Sequence, residues 1–213
     1  MNFDVESHLH AVDRSVSSLE REGQLAHAVS LSRNFETSAD DLWDAVTNGD
    51  RIPRWFLPIT GNLVPGGRYQ LEGNAGGTIT GCEPLSHISL TWEFGGDISW
   101  VDVRFSDGSP GQRRLTLTHT SLHSEHWEEY GPGAAGVGWE MGLLGLALHL
   151  ADPTAPLPDE VAFAGSSDGK AIMRGSSDAW GLAPAASGTE PKAARAAAMR
   201  TTAFYTGEPA EPA

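Results

Sequence analysis

The chain has 213 residues and a formal net charge of −14, which argues against a nucleic-acid surface or a site for anionic lipid, because both need clustered Lys and Arg. Apolar residues make up 39%, with seven Trp and seven Phe, so the chain can build the core of one domain, or of one domain with an appendage. A single cysteine, Cys82, excludes an internal disulfide and a thiolate metal cluster, and the polar, acidic N-terminal residues do not resemble a signal peptide. We therefore expect a cytoplasmic protein with no membrane segment.

The first part of the chain predicts a β-hairpin followed by two short helices. The runs "SVSSLEREG" and "QLAHAVSLSRNFE" have strand character on either side of a turn at 21–23. In "TSADDLWDAVTNGD", Ser38 is a suitable N-cap and Asp41 completes a pair similar to a capping box. "RIPRWFLP" predicts a second short helical turn, because Pro58 prevents its continuation.

From Thr60 to Ser121 the apolar period changes to two, which predicts an antiparallel meander. Five strand-length runs, separated by turns rich in Gly, Pro and Asp, carry this pattern: "GGRYQLEG", "GGTITGCEP", "HISLTWEFGG", "ISWVDVRFS" and "RRLTLTHTSL". Alternation places one set of side chains on a single face: Ile88, Leu90, Trp92 and Phe94 in one strand, and Leu115, Leu117 and His119 in another. That apolar face of the sheet needs a cover.

The predicted cover is a long helix over 133–150. Its sequence is apolar nearly all round, so it must be buried on more than one side. Its most apolar part, 139–150, is about twelve residues long and too short to span a bilayer. Residues 153–207, after a proline-rich linker, predict a helical extension packed on the long helix, and 208–213 predict a disordered tail.

The order of these elements resembles the helix-grip arrangement of the START-related (SRPBCC) superfamily. Residues 25–150 resemble, more specifically, the family related to the activator of the 90-kDa heat-shock protein's ATPase. The matching positions are Trp43, Trp55, Phe56, Gly66, Gly67, Glu83, Pro84 and Trp92, together with "GPGAAGVGWEMGLLGLALHL". The resemblance implies an α+β fold, with an antiparallel sheet wrapped around a long C-terminal helix in a domain over 1–152. Because such folds host carriers, cyclases and chaperone cofactors, it does not fix one activity.

Two features leave alternatives open. The apolar run Trp55, Phe56 and Leu57 is either a plug that closes the core or a wall of a pocket between sheet and helix. Gly138, Gly142 and Gly145 share one side of the long helix, which allows either close packing or space for a ligand.

Other chemistry has weaker support. "GPGAAG" matches a dinucleotide fingerprint in letters only, since no βαβ context surrounds it. "HTSLHSEHWEE" is rich in metal-ligand types, but it crosses from strand to helix and is better interpreted as a solvated turn. We therefore expect no metal and no cofactor.

The leading hypothesis is a site for an apolar or aromatic small molecule between sheet and long helix. Its candidate lining residues are Trp55, Phe56, Trp92, Phe94, His119, Trp139 and Leu143. The alternatives are a co-chaperone contact with a heat-shock ATPase, or cyclase- or hydrolase-like catalysis. For catalysis, His119 and Glu140 are the candidate acid–base groups, unless Glu140 pairs with Arg174, Arg195 or Arg200. The expected partner is thus a hydrophobic small molecule, and a chaperone or a second copy of the chain is the alternative.

Overall fold

The computed structural model describes residues 4–156, 159–183 and 190–209, which form an α+β fold. Across these residues, eight strands make one antiparallel sheet in the order β1-β2-β8-β7-β6-β5-β4-β3. The strands are β1 Val12–Arg21, β2 Gln24–Phe35, β3 Ile59–Gly61, β4 Arg68–Leu71, β5 Gly76–Glu83, β6 His87–Phe94, β7 Asp97–Asp107 and β8 Arg113–Leu122. The predicted fold class is confirmed.

Helices precede, interrupt and follow the sheet. They are α1 Val5–His10, α2 Ala39–Thr47, α3 Glu125–Tyr130, α4 Gly133–Ala151, α5 Glu160–Gly165, α6 Ser167–Leu182 and α7 Pro191–Thr206, and a 3-10 turn lies at Ile52–Arg54. The long helix α4 agrees with the prediction to within one residue. Of the predicted tail, 210–213 lie outside the described residues, whereas Glu208 forms ion pairs with Lys170 and Arg174 of α6.

The chain divides into two compact units that alternate along the sequence. Unit 1 comprises Met1–Leu31, Leu122–Met141 and Pro158–Ala213, and its core includes Val29, Val137 and Trp180. Unit 2 comprises Ser32–Ser121 and Gly142–Leu157, and its core includes Leu42 and Leu115. The extension therefore belongs to the same unit as the N-terminal hairpin.

The N-terminal hairpin closes through a two-residue turn. Glu22 and Gly23 both have positive φ, 55° and 76°, as the twist of a tight hairpin requires. A loop of this length places Arg21 opposite Gln24, so Ser18 lies opposite His27 on the same face. The predicted turn is confirmed.

In unit 2, a hydrogen-bonded cluster around Arg51 connects the turn before Trp55 to the helices α2 and α4. Ser38 caps α2 as predicted, with its Oγ accepting from the backbone N–H of Asp41 at 3.2 Å. Arg51 donates to Asp41 and Asp44, at 2.8 and 3.0 Å, and its hydrogen bond lowers the pKa of the Asp44 carboxyl. Arg51 also donates to His149 of α4, so α2, the 3-10 turn and the end of α4 share one network.

Several short elements were not predicted from the sequence, among them β3 and α1, and the segment interpreted as a solvated turn forms the helix α3 from Glu125 onwards. β3 has three residues, too few to show an alternating pattern. α1 has six residues and is stabilised by the Asp4 cap, which accepts from the Ser7 N–H at 3.0 Å.

The apolar helix is longer than its most apolar stretch, 139–150, which at about twelve residues is too short to span a bilayer. α4 has 19 residues and is long and apolar enough, by length and composition, to cross a membrane. Core helices of globular proteins pass the same test, and the described packing favours that interpretation. Val137 and Leu146 are 0% exposed, and Glu140 is ion-paired, so the structure supports no membrane span.

Candidate functional site

The apolar face of the sheet in unit 2 is defined by the register of its three central strands. Leu90 of β6 pairs with Val101 of β7, and Val101 pairs with His119 of β8, so all three side chains lie on one face. Trp92 pairs with Ser99 and extends the same face by one row. The faces predicted from the sequence for these strands are confirmed.

Charged side chains occupy the opposite face of the same strands. His87 lies against the carboxylate of Asp102, which also pairs with Arg104 at 3.0 Å. On the apolar face, the described positions from Ile88 to Trp92 and from Ser99 to Val103 carry no Asp, Glu, Lys or Arg. This part of the sheet therefore presents an uncharged surface.

His119 is the most unusual group on the apolar face. Its Nε2 lies 2.8 Å from Ser99 Oγ, and Ser99 donates its own proton to the Trp92 carbonyl at 3.0 Å. Because that proton is used, the Ser99 oxygen accepts from His119, which puts the imidazole hydrogen on Nε2. The Trp92 and His119 rings lie 6.2 Å apart between centroids.

Burial lowers the pKa of His119 to about 4, so the imidazole is neutral at physiological pH. Nevertheless His119 and its neighbours Leu90 and Trp92 keep part of their surface accessible. His119 is thus an uncharged polar group among apolar neighbours, with part of its surface still accessible.

The shifted pKa of His119 predicts an acid-sensitive stability. Unfolding allows the imidazole to bind a proton at its usual pKa of about 6.5, whereas the folded state resists protonation until about pH 4. The free energy of unfolding is therefore unaffected by this group above pH 6.5. It falls by up to about 3 kcal/mol as the pH drops towards 4, because only the unfolded state binds the proton in that range. Urea unfolding near neutral pH and near pH 4.5 measures this decrease in the free energy of unfolding, and we expect it to be smaller in His119→Gln than in the wild type.

The matched control for that experiment is His126→Gln, since His126 is exposed on α3. It should keep the acid sensitivity of the wild type. Equal acid losses in the wild type and His119→Gln would contradict the assignment.

Trp55 occupies a position that closes the core. Its indole N–H donates to the Ala45 carbonyl at the end of α2, at 2.8 Å, and its ring stacks on Phe56 at 5.5 Å. A Cβ added at Gly145 of α4 would overlap the Trp55 carbonyl oxygen. This placement favours the plug interpretation for Trp55.

Phe56 packs against α4 next to Gly142, the residue before Leu143. The Phe56 ring faces Gly142, where an added Cβ would meet it at 3.4 Å, and Leu143 is 3% exposed. The side of α4 that carries Gly142 and Gly145 is therefore packed closely against Trp55 and Phe56, and close packing accounts for these glycines.

In unit 1, the first half of α4 is packed against the extension. The Tyr205 hydroxyl donates to the Ala134 carbonyl at 2.6 Å and lies 3.0 Å from where a Cβ at Gly138 would be. A Cβ at Gly136 would overlap the Trp180 indole. Small residues thus allow α6 and α7 to approach α4.

The structure resolves the alternatives for Glu140. Its carboxylate accepts from Nε and Nη2 of Arg14 in β1, at 2.6 and 2.7 Å, and its side chain is 6% exposed. The expected ion-pair partners Arg174, Arg195 and Arg200 were wrong; the partner comes from the N-terminal hairpin. Because both carboxylate oxygens bind one guanidinium, the arrangement does not suit a general acid or base.

The remaining candidate residues differ in exposure. Trp139 is half-buried in the part of α4 that belongs to unit 1. Phe94 is 58% exposed at the end of β6, next to the turn into β7, and its position is unlike that of Trp92. Sequence alternation could assign Phe94 to the correct face but could not show that the cover ends before it.

Unit 2 also contains a recess that sequence reasoning missed. It measures about 230 Å³ and lies at the start of α2 and the junction of β7 and β8, lined by Ala39, Leu42, Leu85, Phe105, Ser106, Asp107 and Arg113. Arg113 and Asp107 form an ion pair at its edge. Residues from three separated parts of the chain build it, so no local motif could have indicated it.

The histidine-rich segment does not form a metal site. Among the residues that the structure describes, no group of three or more His, Cys, Asp or Glu side chains could hold a metal ion. His123 instead pairs with His27 of β2, which is distant in sequence.

Comparison with known proteins gives a family match over the central part of the chain. The model of the family described as Activator of Hsp90 ATPase homolog 1-like protein matches residues 36–151. No curated protein matches the chain.

Solved structures are similar over a longer stretch. The crystal structure of CalU16 from Micromonospora echinospora is 28% identical, with a TM-score of 0.66, over 81% of this chain and 98% of that one. Its solution structure gives 26% identity and a TM-score of 0.68, over 83% and 96% of the two chains. PFC0360w, an HSP90 activator from Plasmodium falciparum, is 22% identical with a TM-score of 0.51, over 58% of this chain and 96% of that one, a likeness of fold alone.

Proposed function

The chain belongs to the family of Activator of Hsp90 ATPase homolog 1-like proteins, and we propose that it binds an uncharged, apolar or aromatic small molecule on the apolar face of its sheet. The site is formed by Trp92 and His119 and extends towards Leu90 and Val101. In this proposal the bound molecule replaces the solvent that now reaches these side chains.

The observation that carries the proposal is the state of His119. The imidazole is buried enough to have a pKa of about 4, and yet it and the indole of Trp92 remain partly accessible. An apolar face of this kind gains about 25 cal/mol for each Å² of apolar surface that a ligand removes from water, before ordering costs.

Charge limits the chemical class of the ligand. Between Ile88 and Trp92 and between Ser99 and Val103, the charged side chain of Asp102 lies on the other face of the sheet, as does its partner Arg104, and His119 is neutral. An anionic ligand would lose its hydration without meeting a cation there, which is unfavourable. We therefore expect a preference for neutral molecules.

Two dyes with related skeletons test the proposal. N-phenylnaphthylamine is neutral, whereas anilinonaphthalene sulfonate carries a negative charge on a similar skeleton. We expect the neutral dye to bind with a fluorescence increase, and the sulfonate to bind at least about tenfold more weakly. Replacement of the indole in Trp92→Ala should weaken binding of the neutral dye by about tenfold or more.

Phe94→Ala is the matched control, since it removes an aromatic ring from the same strand at an exposed position. It should leave the affinity within about twofold of the wild type. If neither dye binds, or if Phe94→Ala weakens binding as much as Trp92→Ala, the proposed site is wrong.

A second candidate function is contact with a heat-shock ATPase, which the family description supports. A chaperone partner would bind a surface, so it would not depend on Trp92. Addition of the chain to the cognate chaperone should then change its ATPase rate, and Trp92→Ala should act like the wild type in that assay.

A further inference from the structure

A hydrogen-bonded chain of four side chains lies in unit 1 and shares no residue with the proposed ligand site of unit 2. Ser18 Oγ lies 3.2 Å from His27 Nδ1, His27 Nε2 lies 2.9 Å from His123 Nδ1, and His123 Nε2 lies 3.1 Å from Glu128 Oε1. The four residues come from β1, β2, the end of β8 and α3, so the chain links α3 to the edge of the sheet.

The helix α3 is held by this chain at one end and by α7 at the other. The Trp127 ring stacks on His27 with centroids 4.1 Å apart and planes 1° from parallel. At the far end, the Glu129 and Tyr130 carbonyls accept from Arg200 and Thr201 of α7. Among the described residues, the titratable groups hydrogen-bonded to the two imidazoles are each other and Glu128, and Arg200 of α7 donates to the Glu129 carbonyl at the other end of α3.

Donor and acceptor roles can be assigned along the whole chain at neutral pH. A carboxylate only accepts, so His123 carries hydrogen on Nε2 and accepts at Nδ1. His27 then donates from Nε2 and accepts at Nδ1 from the Ser18 hydroxyl. Every contact is satisfied with both imidazoles neutral.

One extra proton can be accommodated without breaking any contact. If His123 is protonated, its Nδ1–H donates to His27 Nε2, and the His27 hydrogen moves to Nδ1, where the Ser18 oxygen accepts it. The charge of His123 then faces the Glu128 carboxylate. A second proton leaves two N–H donors facing each other at the 2.9 Å contact, where neither can accept.

We propose that the chain Ser18–His27–His123–Glu128 is a proton-operated latch, which holds α3 on the sheet while the imidazoles share at most one extra proton and releases it when both are charged. Burial is the first cause that lowers the pKa of His27, with the charge of His123 second, so the closed state resists the second proton. The open state binds it at the usual pKa of about 6.5, so closure weakens as the pH falls below that value.

Hydrogen exchange of the backbone amides, measured on the whole protein, tests the latch. Backbone amides of α3 are compared with those of α6 at about pH 7.5 and about pH 5, after correction for the intrinsic pH dependence of exchange. We expect protection of α3 to fall by about tenfold relative to α6 at the lower pH.

Two substitutions make the result specific. His123→Gln removes the second imidazole and with it the contact between two N–H donors, so the fall in α3 protection at the lower pH should become clearly smaller, whether or not the variant loosens α3 at both pH values. Burial of His27 accounts for the part that remains. His126→Gln changes an exposed histidine of the same helix and should keep the pH dependence of the wild type. The latch is refuted if α3 protection does not change with pH in the wild type, or if His123→Gln keeps the full change.

Discussion

Replacing Glu140 with glutamine is expected to lower the free energy of unfolding by about 3–5 kcal/mol. Arg14 is 11% exposed, and its guanidinium binds both carboxylate oxygens and the carbonyls of Val12 and Leu9. Without the carboxylate, a buried positive charge remains next to a neutral amide, and that uncompensated charge accounts for most of the loss. Urea unfolding at neutral pH measures the change.

The matched control removes both charges. Arg14→Met combined with Glu140→Leu replaces the pair by apolar side chains of similar length, and we expect it to regain most of the stability lost by Glu140→Gln. If Glu140→Gln stays within about 0.5 kcal/mol of the wild type, the ion pair does not stabilise α4 as described.

Gly145→Ala is the second substitution with a large expected effect. Helix propensity alone would stabilise α4 by about 1 kcal/mol, but the new Cβ would overlap the Trp55 carbonyl oxygen, which belongs to the backbone and cannot rotate away. We therefore expect the opposite sign, a loss of about 1–3 kcal/mol in the free energy of unfolding.

Gly142→Ala is the control, one turn earlier on the same helix. Its Cβ would meet the Phe56 ring at 3.4 Å, an ordinary contact, so the propensity gain should survive and the variant should be as stable as the wild type or more so. Equal losses in the two alanine variants would show that α4 does not approach the Trp55 backbone as the structure has it.

The fold was predictable because its patterns are local and agree with one another. Alternation in "ISLTWEF" and "RRLTLTHT" placed Trp92 and His119 on one face, and the register confirms this. Ser38 marked the start of α2 in advance, since capping depends on neighbours within one turn.

The partners of buried polar groups were not predictable in the same way. The candidate cations for Glu140 that were considered from the sequence all belong to the extension, whereas its partner, Arg14, lies on the hairpin and has no local pattern that connects it to α4. The pairing of Ser18 with His27 follows from the two-residue turn. The pairing of His27 with His123 connects residues 96 positions apart in sequence and has no local signal. Such contacts are fixed by tertiary packing.

The glycines of α4 show how one pattern can have two explanations. Missing side chains mean either space or a close neighbour, and the sequence of the helix is the same in both cases. Gly142 and Gly145 have Phe56 and Trp55 beside them, so the candidate ligand site depends on the sheet and not on a groove in the helix.

A nuclear magnetic resonance titration measures whether a neutral ligand binds beside Trp92 and His119, as we propose. Isotope-labelled protein is titrated with N-phenylnaphthylamine while the indole and imidazole signals are followed. We expect saturable shifts of the Trp92 indole and the His119 imidazole, with little change at Phe94. Saturable shifts confined to other residues, such as Leu85 and Phe105 at the recess by the start of α2, would contradict the proposal.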